Sequence, residues 1–305
     1  MNEIRTDEIR TVAFIGLGVM GGPMAGHLAR AGYTVTGYNR TASRAQAWAE
    51  RLAGEGLSAA IATTPAEAAA GKDLVLTCVG NDEDLAQVLL GPEGALAAMA
   101  AGALLVDHTT VSAAMARRIA TKAAARGIAA VDAPVSGGQA GAENGKLAVM
   151  CGGSVEAVER ARPVMEAFSA RIVHVGGAGA GQATKMANQM CIAGTLAGLS
   201  EAVRLSQACG LDMDRVYEAI SGGAAQSWQM DNRWATMARG EFDFGFAIDW
   251  MRKDLGYALD EARKLGLSSP VTALVDQFYA DVQAMGGARQ DTSALIRRLP
   301  QAKKG

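Results

Sequence analysis

A lysine at position 185 stands in the first turns of a long run without proline, Gln182 to about Ala208. Asn188 and Gln189 follow it by three and four residues. On a helix the three share one face. The positive end of a helix disfavours an ammonium and lowers its pKa, toward the range of a working general acid or base. Taken by itself, a helix lysine is more commonly a solvated surface residue. The motifs around it therefore decide what it means.

The run GLGVMG at 16–21 directly follows a β-rich stretch, Thr11–Ile15, and opens a helical pattern. Gly16 allows a tight turn, Gly18 lets a pyrophosphate approach the backbone, and Gly21 allows close packing of helix on strand. Val19 and Met20 complete the turn. The amides and dipole of the helix N-terminus then favour phosphate. The next β-run, Thr34–Tyr38, ends at Asn39, Arg40 and Thr41. NAD enzymes place a carboxylate there for the ribose 2′-hydroxyl. Here there is none, and the Arg40 guanidinium suits a phosphate. The sequence thus predicts NADP(H) over NAD(H), with Thr41 doubling as a helix N-cap. A third run, DAPVSGG at 132–138, follows another β-stretch. Ser136 with the amides of Gly137 and Gly138 can form an anion nest for a carboxylate. On composition alone a plain turn fits equally well.

The elements that must position these residues alternate. Short apolar runs at Thr11–Ile15, Thr34–Tyr38, Asp73–Val79, Ala103–Asp107, Ile128–Asp132, Leu147–Cys151 and Arg171–Val175 are separated by helical patterns such as Ala42–Leu52 and Ala113–Ala125. This predicts a doubly wound α/β domain whose parallel strands are covered on both faces. A glycine-rich hinge at 176–181 follows. Beyond it lie only helical patterns: the long run, of about 40 Å, then Asp214–Ile220, Ile248–Leu265, Val271–Met285 and Thr292–Leu299, with Pro270 at the start of the penultimate one. The domains are placed at 1–178 and 179–305. The long helix reads as apolar around much of its circumference, with Ala193, Gly194, Ala197 and Gly198 along it. Such a helix is usually buried, so a homodimer or a dimer of dimers is expected through it.

Composition narrows the function classes. The 305 residues carry a net charge of −2, which excludes a strongly basic nucleic-acid binder. The 37 glycines exceed the usual ~7% and suit close backbone approach to ligands. Cys78, Cys151, Cys191 and Cys209 form no CxxC pair, so buried, reduced thiols in a cytoplasmic protein are expected. His27, His108 and His174 show no metal-ligand spacing, and no metal is expected. The first ten residues mix both charges and do not read as a signal peptide. No stretch reads as a membrane span.

Together the motifs resemble the β-hydroxyacid dehydrogenase family, of which 3-hydroxyisobutyrate dehydrogenases and tartronate semialdehyde reductases are members. The likeness runs from about Thr11 to Leu299. It includes the cofactor signature GLGVMGGPM at 16–24, DAPVSGG at 132–138, GAGQATK at 179–185 followed by Asn188, and Lys253-Asp254-Leu255. The resemblance implies a Rossmann-type domain followed by an all-helical one, and a small carboxylate substrate. Ser136, Gly137 and Gly138 would bind that carboxylate. Lys185 would exchange a proton with the hydroxyl or carbonyl oxygen, and hydride would pass between the β-carbon and the nicotinamide. Asn188 would orient Lys185 or substrate, and Gln189 stands where many relatives carry asparagine. Lys253 would reach the cofactor, and Val79, Gly80 and Thr110 would line its nicotinamide side. NADP is the expected cofactor, with NAD as the alternative. Two other readings stand beside this one: an imine reductase, which resembles the chain less at 136–138, and a noncatalytic NADP-binding scaffold, against which Lys185 argues.

Overall fold

The computed structural model describes residues 9–300. The segment read as lacking a signal peptide falls mostly at 1–8, outside the described residues. The chain folds as two compact units that divide between Lys185 and Met186.

The first unit contains, in order, β1 (Thr11–Ile15), α1 (Gly21–Arg30), β2 (Thr34–Tyr38), α2 (Ala42–Gly54), β3 (Ala60–Ile61), α3 (Pro65–Ala69), β4 (Leu74–Thr77), α4 (Asp82–Leu90), α5 (Ala95–Ala98), β5 (Leu104–Asp107), α6 (Ala113–Ala124), β6 (Ala129–Asp132), β7 (Val135–Ser136), α7 (Gly138–Glu143), β8 (Leu147–Gly152), α8 (Val155–Met165) and β9 (Ser169–Gly176). The first turns of α9 (Ala180–Ala208) belong with it. The strands form one sheet in the order β3-β2-β1-β4-β5-β6-β8-β7, with β9 on β8. Strands β3 to β6 of that order are mutually parallel. Their side chains alternate between two apolar layers. Val12 and Phe14 of β1 pack with Met24, Leu28 and Trp48. Ala13 and Ile15 pack on the opposite face with Leu85, Leu96 and Ile119. Both faces are buried, as near-continuous apolar strands require. The Trp48 indole donates to the Gly22 carbonyl at 3.1 Å and so fixes α2 on α1.

The parallel expectation fails where β8 meets β6 and β7, and holds again between β8 and β9. Strand β8 is antiparallel to both β6 and β7. Only ten residues join β7 to β8, too few for a parallel crossover, so the chain turns back as a hairpin. Strand β9 departs differently. It pairs only with β8 among the described residues and exposes Val173 and Val175, as an edge strand would, instead of being covered on both faces. The two-residue strands β3 and β7 carry no readable alternation.

The second unit comprises the rest of α9, α10 (Met213–Ile220), α11 (Trp228–Arg239), α12 (Ile248–Lys264), α13 (Pro270–Ala284) and a closing 3-10 helix, Thr292–Arg298. Its core gathers Leu196, Val203, Trp234, Met251, Tyr279 and Leu295. Pro270 starts α13 as expected. Helix α11 was not among the expected elements because its sequence is polar. Met230, Trp234 and Met237, its buried residues, carry a four-then-three spacing that signals it.

In the single chain, Lys185, Gln189, Ala193, Leu196 and Val203 of α9 form one buried stripe, while Ala183, Ala187, Cys191, Gly198 and Leu205 face outward. One expectation is corrected here: not all cysteines are buried. Cys151 is, and burial raises its thiol to about 12. Cys191 and Cys209 are exposed and Cys78 is intermediate, all four being free.

Candidate functional site

The glycine-rich loop joins β1 to α1. Gly16 has φ +103°, and a Cβ there would meet the Cys78 carbonyl, so only glycine fits. Around Gly18 a Cβ would find open space, and Val19 is 60% exposed. Met20 caps α1 without a side-chain hydrogen bond, and the first turn holds no acidic residue. The open space at Gly18 and a first helical turn without an acidic residue fit a dinucleotide pyrophosphate.

At the end of β2, Asn39 accepts the Leu17 amide at 3.0 Å and donates to the Thr41 carbonyl at 3.1 Å. Asn39 therefore shapes the glycine loop. Thr41 occupies the N-cap position of α2 without capping through its side chain. Arg40 extends into solvent, 71% exposed, and pairs with Asp84 at 2.6 Å.

The loops after β4, β5 and β6 meet at the same sheet edge. Thr109 accepts the Val79 amide through its hydroxyl at 3.1 Å, which joins the first two loops beside Gly80 and Thr110. Asp82 receives both the Ser112 amide and hydroxyl, at 2.8 and 2.6 Å. Asp107 accepts the Thr77 hydroxyl at 2.6 Å and the Thr109 amide at 3.0 Å. Burial raises its carboxyl to about 6. His108 donates from Nδ1 to the Ala133 carbonyl at 2.7 Å, since a carbonyl can only accept. Burial lowers this imidazole to about 4, so it is neutral at physiological pH. Asp132 lies at the end of β6, and burial raises it to about 6.

Beyond Asp132 the chain forms the short strand β7 and turns. Gly137 and Gly138 have φ +129° and +61°, conformations that favour glycine. Ser136 is half-buried beside them. Lys185, 7% exposed, belongs to this unit, in the second turn of α9. Within the glycine run read as a hinge, the Gly179 amide is held by Asp132 at 2.7 Å.

In the helical unit, Asn188 donates to the Gln189 side chain at 2.8 Å. Buried Gln189 donates to Asp254 at 2.7 Å. Lys253 pairs with Asp254 at 3.2 Å and lies over the rings of Trp250 and Tyr257. The sequence reading named Asp254 only as part of the Lys253-Asp254-Leu255 stretch and gave it no role, whereas it joins Gln189 to Lys253. Trp228, at 53% exposed, and Trp250, at 38%, stand apart from the buried Trp234.

Comparison with known proteins accounts for both units. Residues 11–176 match the family model described as the NAD binding domain of 6-phosphogluconate dehydrogenase. Residues 179–299 match that of the NAD-binding domain of NADP-dependent 3-hydroxyisobutyrate dehydrogenase. The chain belongs to the β-hydroxyacid dehydrogenase family. Within that family it is 58% identical to an uncharacterized oxidoreductase of Shewanella frigidimarina, over 96% of this chain and 99% of the relative. It is 40% identical to a probable mitochondrial 3-hydroxyisobutyrate dehydrogenase-like protein of Arabidopsis thaliana, over 98% and 87%. Among solved structures, Mycobacterium tuberculosis 3-hydroxyisobutyrate dehydrogenase with L-serine superposes with a TM-score of 0.86 at 33% identity, covering 95% of this chain and 99% of that one. The chain is thus an oxidoreductase of the NAD(P)-dependent hydroxyacid dehydrogenase type. Among its described residues, no helix is long and apolar enough to cross a membrane.

Proposed function

We propose that the protein interconverts a small β-hydroxy acid and its semialdehyde with NADP(H), using Lys185 as general acid and base. The observation that carries this reading is the burial of Lys185 in the unit that holds the glycine-rich loop. A lysine is rarely buried without a specific use or partner. The L-serine named with the tuberculosis enzyme is itself a β-hydroxy acid, which favours a substrate of that class.

Gly16, Gly18, Val19, Met20 and Gly21 would hold the pyrophosphate, and Arg40 the 2′-phosphate. Val79, Gly80, Thr110 and Lys253 would contact the nicotinamide side. Bound there, the nicotinamide supplies or accepts a hydride. Ser136 and the Gly137 and Gly138 amides hold the substrate carboxylate. In reduction, the Lys185 ammonium polarises the carbonyl and gives its proton to the alkoxide oxygen as charge develops. In oxidation it starts neutral and takes that proton back. Gln189, held by Asp254, orients Asn188, and the two amides orient lysine or substrate. The protein is assigned to the cytoplasm, in keeping with four free cysteines, and to a dimer or dimer of dimers.

The test is Lys185→Ala. We expect kcat to fall by several orders of magnitude with cofactor affinity within about twofold. Turnover within about threefold of wild type, a barrier change under ~1 kcal/mol, would refute the role. A panel of 3-hydroxyisobutyrate, L-serine and short semialdehydes, read at the nicotinamide absorbance, identifies the substrate.

A further inference from the structure

We propose that Asp132 and Gln182 are positioning residues that set the place of Lys185 against the loop carrying Thr110. The proposal rests on the assignment of Lys185 above.

Asp132 accepts the amides of Gly179 at 2.7 Å and Gln182 at 2.9 Å. It therefore caps α9 and offsets the positive end of that helix. Ordinary N-caps come from the residue just before the helix. This one comes from 47 and 50 residues upstream and is buried, which costs desolvation that a local serine or aspartate cap at the surface would avoid. A local cap would form the helix equally well. Only a cap from the sheet also fixes where the helix begins. The fit leaves no slack: a Cβ at Gly152 would lie 2.5 Å from one Asp132 carboxylate oxygen, and one at Gly181 2.8 Å from the other.

Gln182 fixes the rotation of the same turn. It is fully buried, and both ends of its amide are used. It donates to the Thr109 carbonyl at 2.7 Å and accepts the Val111 amide at 3.1 Å. Thr110 is thereby framed between two bonded neighbours. The Thr109 hydroxyl in turn holds the Val79 amide. Three loops of one sheet edge and the first turn of α9 become a single hydrogen-bonded body. Lys185 follows Gln182 by three residues, on the same side of the helix and about 4.5 Å further along it. Misplacing a reacting group by 1 Å can cost about 100-fold in rate.

The experiment compares Asp132→Asn, Gln182→Met and Gln182→Glu with wild type and Lys185→Ala in the full-length protein. L-serine and 3-hydroxyisobutyrate serve as substrates. NADPH fluorescence titration counts folded sites, so kcat is expressed per cofactor site. We expect D132N and Q182M to lose about 100-fold in kcat per site, with NADPH affinity within about twofold. The deuterium isotope effect from 4-deuterated cofactor should rise toward its full value as hydride transfer becomes limiting. Q182E keeps the acceptor for Val111 and should recover part of the loss. A purely structural role lowers the number of sites and the Tm but leaves kcat per site and the isotope effect unchanged, and that result overturns the proposal. If D132N does not fold, the two Gln182 variants decide by the same readouts. Normal turnover in K185A would instead remove the lysine assignment, and the proposal with it. Loss in K185A with D132N and Q182M unchanged would remove the positioning proposal alone.

Discussion

Arg40 and Asp84 show how a single side chain bears on cofactor choice. Their pair is solvent-exposed on the arginine side, and such pairs contribute at most ~1 kcal/mol. A 2′-phosphate can draw Arg40 away at little cost, but the Asp84 carboxylate remains close by and repels it. Wild-type protein is expected to show higher kcat/KM with NADP than with NAD, and Asp84→Asn to raise that ratio several-fold by improving NADP alone. Steady-state kinetics with both cofactors checks this, and an equal gain for NAD contradicts it. Asp107 makes a pH prediction. Burial holds its carboxyl at about 6 instead of 3.8. Between those values the folded chain keeps a proton that the unfolded chain has lost, so stability falls as pH rises through that window. The cost is complete above about pH 6, with a ceiling of ~3 kcal/mol. Asn at 107 cannot ionise and keeps an acceptor for Thr77 and Thr109. D107N should therefore gain Tm relative to wild type on going from pH 4 to pH 7.5. A difference that does not change with pH would contradict the assignment. At this scale the sequence was partly legible. Gly16 stands out by type and spacing, whereas Ser136 and Lys185 stand out only through the family resemblance of the runs that carry them. The bonds of Asn39 to Leu17, Gln182 to Thr109 and Gln189 to Asp254 join residues far apart in the chain, and no local spacing encodes them.

At the level of elements, strands β1 and β2 are bounded by turn residues and match their expected limits. Strands flanked by further apolar residues drifted by one or two positions, as at Asp73–Val79 against Leu74–Thr77. Direction was the harder property. An apolar run reads alike whether its strand is parallel or antiparallel, so only the short connection before β8 could have revealed its reversal. The 3-10 helix at Thr292–Arg298 likewise shares its periodicity with an α-helix over so few residues. Packing at the start of α9 yields a sharper expectation. Gly181→Ala should gain up to ~1 kcal/mol from helix propensity. Its Cβ, however, would lie 2.4 Å from the Met150 carbonyl, and such overpacking costs about 1–3 kcal/mol. Backbone neighbours cannot rotate away, so the clash should win. Thermal unfolding of G181A should show a net loss; a raised Tm would mean that the sheet yields there.

For the whole molecule, the outward face of α9 is the feature to test. Ala183, Ala187, Cys191, Gly198 and Leu205 lie on it, with Leu205 at 66% exposed. If a second copy covers this face, light scattering should give twice the 31.4 kDa chain mass, and Gly198→Arg should return the protein to a single-chain mass. A wild-type mass of one chain at micromolar concentration refutes the dimer. The division into an α/β part and a helical part was readable because the chain's rhythm changes once. The exact seam was not: the first turns of α9 look helical in sequence, yet they are bonded to the sheet. That bonding bears on how the protein is made. Every partner of Asp132 and Gln182 described above lies between Thr109 and Gln182 in the chain. A ribosome has therefore supplied every part of this anchor before it adds the first residue of the helical unit.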